Sequence, residues 1–226
     1  QSVATAIEVS ATDGGSSEPT PDVRLLGSPI LALLDGVPVA RHPLLMKHVT
    51  VDDIFELEPN TVVSERSHGT AMASLAVHGD RNKREAALPR RVHIVPVLGV
   101  HDQFPHDRLV IDLIYTAIVS LYETPPASSD VVLVNLSLGN ARRRFHTVLS
   151  PWARLLDYLA YHYGILFIVS AGNCLDALAI EDVPYHTLYE DASPSARAAS
   201  TLRALVAASG DRRLLSPGET INGLTV

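Results

Sequence analysis

With one cysteine in 226 residues, Cys174, the chain can form no internal disulphide, and nothing in it points to an oxidising compartment. It lacks any run of 18 or more apolar residues, so no segment reads as a membrane-spanning helix. It also lacks a surplus of positive charge. A formal net charge of -7 and a pI near 5.8 argue against a dedicated nucleic-acid binder. The basic residues that do cluster form short, separate runs: Arg81, Lys83, Arg84, Arg90 and Arg91, then Arg142, Arg143 and Arg144. Such runs read as solvated loop faces, with an acidic partner surface as the alternative. The first residue is Gln rather than Met, so the start reads as a processed end or a chosen boundary and a signal peptide cannot be judged from it. The missing disulphides and the lack of a visible signal together favour the cytoplasm. No internal repeat and no second domain are visible.

What is present is apolar material, 46% of the residues, enough for one sizeable core. Residues 1–22 are rich in Ser, Thr, Gly, Pro and acids, as expected of a flexible lead-in. A regular alternation follows over residues 23–226. Residues 29–34 (PILALL), 92–98 (VHIVPVL), 131–136 (VVLVNL) and 164–169 (GILFIV) are short apolar runs, the mark of buried parallel strands. Pro96 suggests a strand margin or bulge in the second. Between them lie helical patterns: 68–78 after Ser67 as the expected N-cap, 109–123, and 151–163 opened by Ser150 and Pro151. Beyond Ala171 the pattern is loop-like to about Ser200. The rhythm predicts an α/β fold of three layers, a mostly parallel sheet with helices on both faces.

In such a sheet, reactive groups collect at the carboxyl ends of the strands. Four unusual segments fall there. Asp35 and Gly36 come immediately after the first strand, with His42, Pro43 and Leu44 soon after. Ser67, His68 and Gly69 open a helix of small residues. Asn135 to Gly139 leads out of the third strand and can pair with an extended peptide. Ser170, Ala171, Gly172 and Asn173 leave the fourth, presenting a side-chain amide beside a glycine. Taken singly, each has a plain structural explanation. Taken in order, LLDG, HPLL, SHGTAMAS, VLGV, VNLSLG and VSAGN resemble the successive blocks of the subtilase family of serine proteases over roughly residues 29–173. Asp35 and His68 are 33 residues apart, against about 32 in subtilisin.

The resemblance implies a subtilisin-like peptidase domain and assigns roles. His68 is the expected general base, Asp35 the acid that fixes its tautomer, and Asn173 the oxyanion donor. Ser137, Leu138 and Gly139 match the strand that pairs with substrate backbone, and Asp102 to Phe104 match the opposite wall of the groove. The expected partner is a protein or peptide substrate, with no cofactor. No metal is carried over: residues 79–91 are unlike the calcium loop of many secreted relatives, and His42, His48 and His78 lack zinc-ligand spacing.

Two departures stand out. Gly36 follows Asp35 directly, where the family usually has Asp-Thr-Gly or Asp-Ser-Gly. No Gly-Thr-Ser occurs anywhere, and Ser195, Ser200, Ser209 and Ser216 do not match the nucleophile block. In subtilisin that Ser follows the oxyanion Asn by about 66 residues, a position past Val226 here. The expectation is therefore a domain incomplete at its C-terminus and inactive by itself, its Ser coming from a C-terminal remainder or a second chain. One alternative is a peptide-binding module that never had a nucleophile. Another is a phosphatase built on Asp35, against which stands Val37 where a second acid is needed.

Overall fold

The apolar runs become neighbouring strands of one sheet. The computed structural model describes residues 23–83, 85–123, 125–173, 177–180 and 186–226, the side chains of residues 186–188 excepted. The expected lead-in 1–22, Arg84 and Cys174 lie outside the described residues. In chain order come β1 (Leu31–Gly36), β2 (Val49–Val51), α1 (Ser67–His78), β3 (Val92–Leu98), α2 (Val110–Tyr122), β4 (Leu133–Leu136), β5 (Asn140–Arg144), α3 (Pro151–Tyr163), β6 (Leu166–Val169), α4 (His186–Asp191), α5 (Pro194–Ala207), β7 (Leu215–Ser216) and β8 (Gly223–Thr225). Six strands pair in parallel in the order β2-β3-β1-β4-β6-β8, and β5 and β7 form a separate antiparallel ribbon.

Strand periodicity sorts β1 between two cores. Ala32 and Leu34 face the layer of α2 and α3, among Leu113, Ile118, Leu156 and Phe167. Leu33 faces the other way, toward Ala73 and Val77 of α1. Burying one such aliphatic or aromatic side chain is worth about 1.5–3 kcal/mol, so these two clusters fix which helix covers which face. Asp35 stands two residues after Leu33 and so points to the α1 side, where the first turn of that helix carries His68.

Several local expectations need correction. Ser67 is the first residue of α1, not its cap. The cap is Arg66, which makes no side-chain capping bond. Asp35 lies inside β1, and its pairing with β3 slips by one residue after Asp35, opposite Pro96, as a proline lacking its N–H demands. Gly164 is the left-handed cap of α3 rather than the first residue of a strand. The stretch expected to be loop up to Ser200 holds α4 and α5. α5 is opened by Ser193, whose hydroxyl accepts the N–H of Ala196, and by Pro194. That is the device that opens α3 with Ser150 and Pro151. At the far edge β8 is held by Asp157 of α3, whose Oδ1 accepts bonds from Thr220 Oγ1 and the N–H groups of Ile221 and Asn222.

Candidate active site

The turn before α1 is fixed first. Arg66 donates from Nε and Nη2 to the carbonyl of Thr61, and its Nη1 lies 3.0 Å from Glu58 Oε1. One turn into the helix, Thr70 Oγ1 donates to the carbonyl of Arg66 and accepts the N–H of Val39 at 2.9 Å. The helix start is thereby tied to the segment that leaves β1. Gly69 explains how close the two can come. A Cβ at that position would sit 2.1 Å from the carbonyl oxygen of Gly36, a contact no side chain can make.

That approach brings His68 Nδ1 to 2.6 Å from Oδ1 of Asp35. The Asp35 side chain is 2% exposed, whereas the imidazole side chain is 40% exposed. The same Oδ1 accepts the N–H of Gly36 at 2.7 Å, and Oδ2 is buried with no hydrogen-bond partner among the described residues. A carboxylate can only accept, so Nδ1 carries the proton and Nε2 is left as the acceptor, engaged by no hydrogen bond among the described residues. The bond to Asp35 pushes the His68 pKa above the ordinary imidazole value. Partial burial opposes the shift, and the charges of Asp35 and then Asp102 add to it.

Asp102, expected on the groove's opposite wall, lies close to the Asp35–His68 pair. It ends a short 3-10 turn in which His101 and Asp102 both adopt positive φ, 58° and 52°. His101 Nδ1 lies 3.0 Å from Glu65 Oε1, in the turn that leads to α1. The Asp102 carboxylate sits against Gly36, near enough that a Cβ there would be 3.2 Å from Oδ1. It is therefore a second acid beside the pair, which sequence reasoning did not assign. Its one signal was its position just past the end of β3, next to β1 in the sheet. Phe104, expected on the same wall, is partly buried and packs edge-on against Trp152 at 5.7 Å.

The remaining site residues leave the neighbouring strands at the same edge. Ser137, Leu138 and Gly139 follow β4, which pairs with β1, and Asn173 follows β6, which pairs with β4. Neighbouring strands lie about 4.8 Å apart, so two intervals separate the Asp35 exit from the Asn173 exit. Ser137 Oγ donates to Asn135 Oδ1 at 3.0 Å, and Leu138 is buried. Gly139 lies against Gly172 and the backbone of Ser216. Gly172 has φ of 100° and no room for a Cβ, which would lie 2.5 Å from Leu215 Cγ. Asn173 is exposed and lines a cavity of about 370 Å³ together with Ala171 and Gly172. The histidines weighed for metal binding serve elsewhere. His78 Nε2 meets the carbonyl of Leu44 at 2.9 Å and His48 packs edge-on to it. Among the described residues no group of three or more His, Cys, Asp or Glu is placed to hold a metal ion.

Comparison with solved structures finds a psychrophilic subtilisin-like protease, Apa1, from the Antarctic psychrotroph Pseudoalteromonas sp. AS-11. It is 14% identical with a TM-score of 0.43, and the match covers 87% of this chain and 35% of that one. The chain thus spans about a third of the length of that protease. No curated protein sequence matches. The model of the Subtilase family matches residues 28–218, bounds that enclose Asp35, His68, the exit of β4 and Asn173, and the chain belongs to that family.

Proposed function

We propose that this chain supplies the acid–base half of a serine endopeptidase, the observation that carries the reading being the 2.6 Å bond from His68 Nδ1 to the buried Asp35 carboxylate. Family membership supports a serine protease function. Asp35 orients the ring and stabilises the imidazolium, while Nε2 takes the proton of a serine hydroxyl. That oxygen bonds to the scissile carbonyl carbon as the carbonyl becomes an oxyanion, to which Asn173 donates its amide. The C–N bond then breaks, and the proton on Nε2 passes to the leaving amine. Water, deprotonated by the same nitrogen, releases the acyl group. Ser137 to Gly139 offer backbone groups to an extended substrate.

The nucleophile is the component we place outside these 226 residues, since no Gly-Thr-Ser occurs in them. That absence also favours a second reading, a groove that binds peptides without cleaving them. Assay of the full open reading frame on an extended peptide separates the two. The protease reading predicts hydrolysis that rises with pH through the titration of His68. It also predicts that H68A lowers the rate by at least about 10⁴-fold. Hydrolysis undiminished in H68A removes the role given to His68, and hydrolysis by the 226 residues alone relocates the nucleophile.

A further inference from the structure

The 3-10 turn that follows β3 is held in a shape its residues do not prefer. His101 has φ of 58° and ψ of 30°, and Asp102 has φ of 52°. Neither is a glycine, and two successive left-handed residues persist only where the surroundings over-determine them. Within the turn, the N–H of Gln103 bonds to the carbonyl of Val100 at 3.2 Å, and the N–H of Gly99 to that of Gln103 at 2.9 Å. Gln103 Nε2 donates to the carbonyl of His101 at 3.3 Å. All three bonds stay inside residues 99–103. Among the described residues, the polar contact that ties this turn to another part of the chain is His101 Nδ1 to Glu65 Oε1, at 3.0 Å.

The place so fixed is an awkward one for a carboxylate. A Cβ built on Gly36 would lie 3.2 Å from Asp102 Oδ1, and the residue before Gly36 is Asp35, itself a buried acid. Like charges so placed repel. One attraction works the other way. The same point over Gly36 is 3.6 Å from the backbone nitrogen of Gly69, in the first turn of α1. That helix has no acid in its first turn and no side-chain cap, so its positive end favours an anion brought from elsewhere in the chain. The Asp102 charge also raises the His68 pKa. A turn under backbone strain and next to a like charge leaves such a place unless it is tied there. Glu65 is a firm tether: its side chain is 20% exposed, and its neighbour Arg66 is bonded to the carbonyl of Thr61 and paired with Glu58. A carboxylate only accepts, so the imidazole meets it through a proton on Nδ1. The cation and one neutral tautomer both carry that proton, and the tie holds in either form.

We propose that His101 and Glu65 are positioning residues, whose pairing clamps the exit of β3 to the turn that opens α1 and so holds Asp102 beside Asp35 and His68. The inference goes beyond the peptidase reading. It concerns where a charge stands relative to the His68 ring, and it needs no nucleophile.

Titration of the His68 ring C–H signals tests it in the parent chain, H101A, D102N and the double variant. The His101 side chain is 78% exposed, so H101A leaves both cores untouched. The two ways in which His101 can act on the ring have opposite signs. Loss of a basic group nearby raises the His68 midpoint, whereas release of Asp102 lowers it. The clamp predicts that H101A lowers the midpoint, as D102N does and by no more than D102N does. It also predicts that H101A adds no further drop in the D102N background. Cross-peaks between the β protons of Asp102 and the α protons of Gly36, present in the parent, disappear in H101A. A midpoint in H101A equal to the parent's or above it overturns the proposal, as does a further drop in the double variant. Failure of the full reading frame to cleave peptides sinks the peptidase reading and leaves these midpoints as they are, so the two failures are distinct.

Discussion

At the scale of single residues, the site rests on an acid that is buried and an imidazole that is not. Both carboxylates near the ring work in one direction. Asp35 raises the His68 pKa chiefly through its hydrogen bond, and Asp102 raises it through charge alone. D102N should therefore lower the His68 pKa by a smaller amount than loss of the Asp35 bond, with the ring still in place. Titration of the imidazole C–H signals checks this, and an unchanged midpoint contradicts the role given to Asp102. For an enzyme that needs neutral His68, a lower midpoint means activity appearing at lower pH. Asp35 and His68 were legible in the sequence because the types of their neighbours were informative: a glycine after each, an apolar run before one and a helical pattern after the other. The place of Asp102 was not, because it depends on two successive left-handed residues, which no local pattern announced.

At the scale of elements, what was legible was what is buried. β1, β3, β4 and β6 were visible as apolar runs, and α1, α2 and α3 as periodic ones. β2 has three residues, and β5 is a row of polar and basic residues that looks like any solvated loop. α5 escaped for another reason. Its Ser193-Pro194 opening was present, but its buried positions are Ser200 and Ala204, too few and too small to show a stripe. Gly69 offers the sharpest prediction here. In G69A the new methyl meets the Gly36 carbonyl, so α1 must withdraw from the end of β1. Overpacking of this kind costs about 1–3 kcal/mol or more. Denaturant melts should show that loss, and the His68 midpoint should fall toward its ordinary value as the Asp35 bond opens. A G69A protein with unchanged stability and midpoint contradicts the packing.

At the scale of the whole molecule, the sheet divides two cores and also two histidines of opposite behaviour. His93, in β3, is buried, and burial holds its pKa below the ordinary value despite Asp52 at 3.9 Å. Its neutral form is the folded one, so its contribution is intact above the unfolded pKa of about 6.5 and is lost as pH falls below it. His68, with a raised pKa, contributes the reverse. Its stabilisation is full below the unfolded pKa of about 6.5 and is lost as pH rises through the folded value. The two offset each other in mild acid. H68A should therefore lose stability more steeply than the parent between about pH 7 and pH 5, read as the denaturant midpoint at each pH. Equal slopes would contradict the opposed titrations.

The account depends most on a pairing between parts of the chain 33 residues apart, held by β1 and α1 on one face of the sheet. ¹⁵N and ¹H titration of the His68 ring measures it directly, in the parent and in D35N. The prediction is a proton on Nδ1 at neutral pH and a midpoint above about 6.5, with D35N bringing the midpoint down. A ring protonated on Nε2, with an ordinary midpoint that D35N leaves where it was, would contradict it.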